Sequence, residues 1–91
     1  MTVPELQQLC DSRYDVEAGM CAGYIMAIAE TMTQDGNPMH RVCLNPAIGP
    51  QVLMENVRRD WAALTPDQQY GPQDLATDAV KGAIRRRFRC M

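Results

Sequence analysis

Val16-Glu17-Ala18-Gly19-Met20-Cys21-Ala22-Gly23-Tyr24-Ile25-Met26-Ala27-Ile28-Ala29-Glu30-Thr31-Met32 holds the longest mainly apolar stretch of the chain. Cys21, Tyr24, Ile25, Ile28 and Met32 recur at spacings of three and four. That is the stripe of an α-helix laid against a core. Ala22, Gly23 and Ala27 are small, and another helix could approach closely there. The run cannot cross a membrane, because Gly23, Glu30 and Thr31 interrupt its apolar part, Met20 to Met32, well short of about 18 residues.

Helical spacing continues on both sides. Pro4 to Arg13 reads as a first helix, with Pro4 in the opening turn, Glu5 near the positive end, and Leu6, Leu9, Cys10 and Arg13 on one stripe. Thr33 to Pro50 is irregular: Asp35-Gly36-Asn37-Pro38 is turn chemistry, and Asn45-Pro46 and Gly49-Pro50 add two further breaks. A third helix starts near Pro50 and carries Leu53, Val57, Trp61 and Leu64. Thr65-Pro66-Asp67-Gln68 has capping-box spacing and begins a single turn. Pro72 is expected to open a fourth helix whose apolar face is Leu75, Ala76, Ala79, Val80, Ala83, Ile84 and Phe88. No strand-like alternation or repeat interrupts this order. The fold expected is all-α, a small four-helix domain spanning residues 1–91. Tyr24 and Trp61 are read as core residues, Tyr24 with its hydroxyl on backbone, and Met20, Met26, Met32 and Met54 as core methionines.

Ninety-one residues, 46% apolar and 22% charged, fill one domain with a modest core, so cross-links matter. The four cysteines, Cys10, Cys21, Cys43 and Cys90, are separated by 10, 21 and 46 residues. Such gaps lack the close ligand pairs of a structural zinc site. Two disulfides of an oxidising compartment fit the spacing; four buried thiols of a cytosolic chain are the alternative. If neighbouring helices run antiparallel, Cys10 and Cys21 meet at one end of the bundle and Cys43 and Cys90 at the other. This favours Cys10–Cys21 and Cys43–Cys90 among three connectivities, contributing about 3 and 4 kcal/mol by loop closure. Met1 to Glu5 has neither a basic nor an apolar leader segment. The cysteines favour a chain whose export signal has been removed and replaced by a start methionine.

Catalytic machinery is not evident. His40 stands alone in a loop, no phosphate-cradling glycine loop or acidic metal loop is present, and no cofactor is expected. His40 and Cys43 could form a nucleophile pair, but a bridged cysteine cannot attack. The net charge of -2 and the 5% aromatic content argue against a nucleic-acid-coating protein. Charge is unevenly spread. Residues 1–40 hold Glu5, Asp11, Asp15, Glu17, Glu30 and Asp35 against Arg13 alone, whereas Lys81, Arg85, Arg86, Arg87 and Arg89 crowd the end. These cations complement a helix C-terminus and can pair with the acidic first half, or they can meet an acidic partner.

The order Leu9-Cys10, Cys21-Ala22-Gly23-Tyr24-Ile25, Val42-Cys43-Leu44-Asn45-Pro46, a helix led by Gln51, Pro66, and Ala79 through Phe88-Arg89-Cys90 resembles the Tai-type immunity family. These small proteins neutralise amidase effectors of type VI secretion. Val42 stands where that family has an aromatic residue, and Arg89 where it has proline. The resemblance implies a periplasmic, disulfide-linked inhibitor without catalytic activity, commonly a homodimer. Its partner would be a peptidoglycan amidase with a cysteine–histidine site, blocked by a loop or helix end. The Thr33–Pro50 segment exceeds an ordinary helix–helix connection and is the expected inhibitory face. Asp35, Asn37, Met39, His40 and Arg41 are its contact candidates, with Met39 as a plug and Arg41 or Asp35 as polar anchors. Arg85, Arg86 and Arg87 form the second candidate surface. An envelope chaperone and a cytosolic adaptor using the arginine-rich end are the alternative functions.

Overall fold

The computed structural model describes residues 1–37, 41–45 and 47–90. Four α-helices follow one another: α1 (Val3–Cys10), α2 (Asp15–Thr33), α3 (Pro50–Ala62) and α4 (Ala76–Arg87), with a 3-10 turn at Pro66–Gln68. No strand is present among the described residues. Both disulfides have the expected pairing, Cys10–Cys21 and Cys43–Cys90, with Cα atoms 5.1 and 5.0 Å apart.

The second helix is the hub and packs on all three others. Its buried residues are Cys21, Ala22, Ile25, Ala29 and Met32. They meet Val3 and Leu6 of α1, Leu53, Val57 and Trp61 of α3, and Ala79, Val80, Ala83 and Ile84 of α4 in one core. Ala22 and Ala29 give close approach to the neighbouring helices, while Gly23 and Ala27, expected in that role, are exposed. The turning point of the stripe lies about one residue from where the periodicity places it. Met32 and Met54 are buried and Met26 packs against the core, but Met20 is 54% exposed, which corrects the expectation that all four are core residues.

Trp61 is a core residue as expected, 4% exposed, with its indole N–H donating to the Ala79 carbonyl at 3.3 Å. Tyr24 is half-buried, and its hydroxyl pairs with Thr77 Oγ1 at 2.8 Å rather than with backbone. It thereby ties α2 to α4.

Two helix bounds differ from the sequence expectation for one reason. The first helix begins at Val3 and α4 at Ala76, not Pro72, because residues 1–3 and 74–76 pair as a short antiparallel bridge. Val3 N–H donates to Asp74 O at 2.9 Å and Ala76 N–H to Met1 O at 3.0 Å. Leu75 is held extended by this pairing and is 57% exposed, off the apolar face assigned to it. Asp74 also closes the turn before α4, accepting from Gly71 N–H at 2.6 Å. Long-range pairing of this kind leaves no periodic signal. Near the other end of α1, the helix stops at Cys10 instead of Arg13, where the Cys10–Cys21 bridge turns the chain into α2.

Candidate functional site

The segment after α2 folds back on itself by local hydrogen bonds. Asp35 Oδ1 accepts from Asn37 N–H at 2.9 Å, and Arg41 Nε donates to the Asp35 carbonyl at 3.1 Å. Asp35 is half-buried, whereas Asn37 and Arg41 are exposed. Met39 and His40 lie outside the described residues. Immediately after Arg41, Val42 is buried and pairs as a bridge with Arg89. Cys43 N–H donates to Phe88 O at 2.8 Å, and Cys43 is bonded to Cys90. The loop and the arginine-rich end, separate surfaces in the sequence, therefore share one edge of the molecule.

The arginines at that edge are not equivalent. Arg85 and Arg89 are exposed. Arg86 turns back to α3 and grips the Asp60 carboxylate, with Nη2 2.5 Å and Nε 3.0 Å from Oδ2. Arg87 Nε stands 3.6 Å from Asp60 Oδ1. The hydrogen bond to Asp60 raises the Arg86 pKa from its already high ordinary value, against the desolvation that lowers it, with a further contribution from Tyr70. Asp60, only 7% exposed, is the buried polar residue among the described core. A buried carboxylate needs such a partner. The positive end of the chain is thus partly consumed by α3, not by the acidic first half, where Arg58 reaches Asp11 at 2.7 Å.

Two open depressions mark the surface. One, about 360 Å³, lies beside the loop and is lined by Met26, Glu30, Thr33, Leu44, Ile48 and Leu53 among others. A second, about 430 Å³, lies between α1 and α3 around Gln7, Asp11, Glu55, Arg58 and Gln69. Among the described residues, no group of three or more His, Cys, Asp or Glu side chains is placed to hold a metal. All four cysteines are bridged, so no thiol stands beside the loop as a nucleophile. No helix is long and apolar enough to cross a membrane. What the edge offers is hydrogen-bonding groups and cations on a covalently fixed frame.

The chain matches the family described as Rap1a immunity proteins over residues 2–90. It belongs to that family. No curated protein and no solved structure matches it. Family membership supports the immunity class expected from the cysteine and glycine–tyrosine motifs, and with it a partner effector protein. Two disulfides are compatible with an extracytoplasmic location.

One surface escaped the sequence reading. Val16, Gly19, Met20, Gly23 and Ala27 form the outward face of α2, and all five are exposed. Glu17, half-buried on the flank, is the one charge between residues 16 and 29. Val16 and Met20, 76% and 54% exposed, continue from Tyr14 at 72%. An α-helix that is apolar on both faces normally has both faces covered. The signal was present in the first part of the quoted run, whose outward positions from Val16 to Ala27 lack the polar residues a solvated face carries.

Proposed function

We propose that this chain neutralises a peptidoglycan amidase effector of a type VI secretion system in the periplasm, by filling the enzyme's substrate cleft without chemistry of its own. The observation that carries this reading is the joined edge: Val42 and Cys43, next in the chain after Arg41, are held to the end of α4 by Cys43–Cys90 and by the Val42–Arg89 pairing. Preorganisation of this kind lowers the entropy lost on docking. Asp35, Asn37 and Arg41, together with Met39 and His40, are the contacts proposed from the loop, and Arg85 to Arg87 those from the helix end. Within that set, Arg85 supplies an exposed cation, while Arg86 holds the edge to α3 through Asp60.

The test is protection. Cells exporting a peptidoglycan amidase encoded beside this chain lyse without it and grow with it, and the purified chain stops peptide release from peptidoglycan. Alanine at Arg41 or Asp35 weakens amidase affinity by about tenfold, the equivalent of one well-placed polar contact. Unchanged affinity across an alanine scan of residues 35–41 overturns the loop as the inhibitory face.

Self-association belongs to the same proposal, through the outward face of α2. A two-fold interface brings a patch against its own copy, so charge within it would repel itself. The Val16–Ala27 face has none, and a side chain added at Gly19 or Gly23 would meet no atom within 4 Å. A neighbouring backbone can therefore come close. Met20→Glu is expected to shift a dimer to monomer in sedimentation velocity while leaving helicity unchanged. A wild-type chain that sediments as a monomer at high micromolar concentration removes this part of the proposal.

A further inference from the structure

The two disulfides are placed very differently with respect to solvent. Cys10 and Cys21 are 5% and 0% exposed, inside the core. Cys43 is exposed and Cys90 half-buried. We propose that Cys43–Cys90 is a redox latch: a dithiol reductant opens it first, freeing the segment around residues 41–49 from the end of α4 while Cys10–Cys21 and the helical core stay intact. This deepens the proposed function, on which it rests for its biological meaning, by making the binding edge conditional on oxidation.

Thiol–disulfide exchange requires the attacking thiolate to reach one sulfur of the bond. At Cys43 it can. The reductant's first thiolate bonds to Cys43 Sγ, the Cys43–Cys90 bond breaks, and Cys90 leaves as a thiolate. The reductant's second thiol then attacks the mixed disulfide and releases Cys43. The two cysteines gain two electrons and two protons, and the reductant becomes a disulfide. At Cys10–Cys21 the same attack first requires the core between α1 and α2 to open.

Loss of the latch leaves the edge with non-covalent ties alone: Val42 is buried in the core, and Leu44 and Ile48 pack against it. The Arg41 bond to the Asp35 carbonyl ties the segment to the residue just after the α2 cap, not to α4. Val42 and the Cys43 amide, which pair with Arg89 and Phe88, are the backbone attachments to α4 that remain. Cys43 and Cys90 are not among the buried core residues, so the α2–α3 and α2–α4 packing does not pass through the bond itself. A chain that has formed Cys10–Cys21 but not Cys43–Cys90 would thus hold its helices before its binding edge is fixed, and become competent where both disulfides persist.

The experiment uses the oxidised wild-type chain, treated with graded dithiothreitol and separately with a reduced protein dithiol of the Cys-x-x-Cys type, trapped with iodoacetamide and mapped by peptide mass. Cys43 and Cys90 are expected to be labelled at least tenfold faster than Cys10 and Cys21. Amide exchange over residues 41–49 is expected to accelerate at least tenfold at the same stage, with α2 unchanged. Simultaneous labelling of all four cysteines, earlier labelling of Cys10 and Cys21, or faster exchange in α2 in step with the loop overturns the latch. The double variant Cys43→Ser/Cys90→Ser gives an independent reading, fast exchange confined to the same segment. Should it not fold, the partial-reduction series on the wild type still decides. None of these readouts involves an amidase, so failure of the latch and failure of the proposed target are told apart.

Discussion

Trp61→Ala is expected to lower the melting temperature by roughly 20 °C, the largest effect of any single substitution discussed for this chain. The indole is 4% exposed and lies where α3 faces α4, with its N–H on the Ala79 carbonyl and its ring edge-on to Tyr70 at 6.3 Å. Removing a buried aromatic side chain costs about 3–5 kcal/mol, because the lost burial is compounded by a cavity that the neighbours only partly fill. A domain this small has about 5–15 kcal/mol in total. Trp61→Phe keeps most of the buried area and forfeits the hydrogen bond, so it should cost about 1 kcal/mol. Differential scanning calorimetry of the oxidised proteins separates the two. A shift below about 5 °C for the alanine variant would mean that Trp61 is not a core anchor.

Arg86→Met is expected to destabilise the fold by about 2 kcal/mol, although Arg86 stands in a run that could pass for surface decoration. The substitution strands the Asp60 carboxylate, 7% exposed, with only Arg87 at 3.6 Å. Losing one partner of a fully buried pair costs about 3–5 kcal/mol, and the figure is reduced here because the Arg86 side chain is 42% exposed and screened by water. Adding Asp60→Asn to the same chain removes the stranded charge and should recover more than half of the loss. Arg85→Ala, at an exposed neighbouring position, should change stability by under about 0.5 kcal/mol. Urea midpoints at constant slope measure all three variants. Equal effects of Arg85 and Arg86 would contradict the assignment.

These two residues also mark how far the chain could be read without its structure. Trp61 was legible because its spacing from Leu53 and Val57 repeats the helical period, and a local rule fixes a local face. The cysteine pairing was legible too, since helix order alone brings Cys10 near Cys21 and Cys43 near Cys90. Asp60 was not. It stands beside Trp61 in a helix, and nothing in the sequence near it announces that a guanidinium 26 positions later will turn inward to meet it. The start of α4 was missed for the same reason, because the bridge between residues 1–3 and 74–76 is formed across most of the chain. In the candidate site, Asp35 and Arg41 are candidates read from turn chemistry and loop length. Their union with the arginine-rich end depends on the Val42–Arg89 bridge, a pairing of isolated residues without strand periodicity.

The Cys43–Cys90 bond has a final consequence, in topology. It closes a loop that contains α3, the 3-10 turn and α4 entire. A protease that cuts once anywhere inside that loop opens the ring without dividing the molecule, and its mass rises by one water while no fragment departs. The polypeptide can then be nicked in its second half and still present both of its ends on a single covalent body.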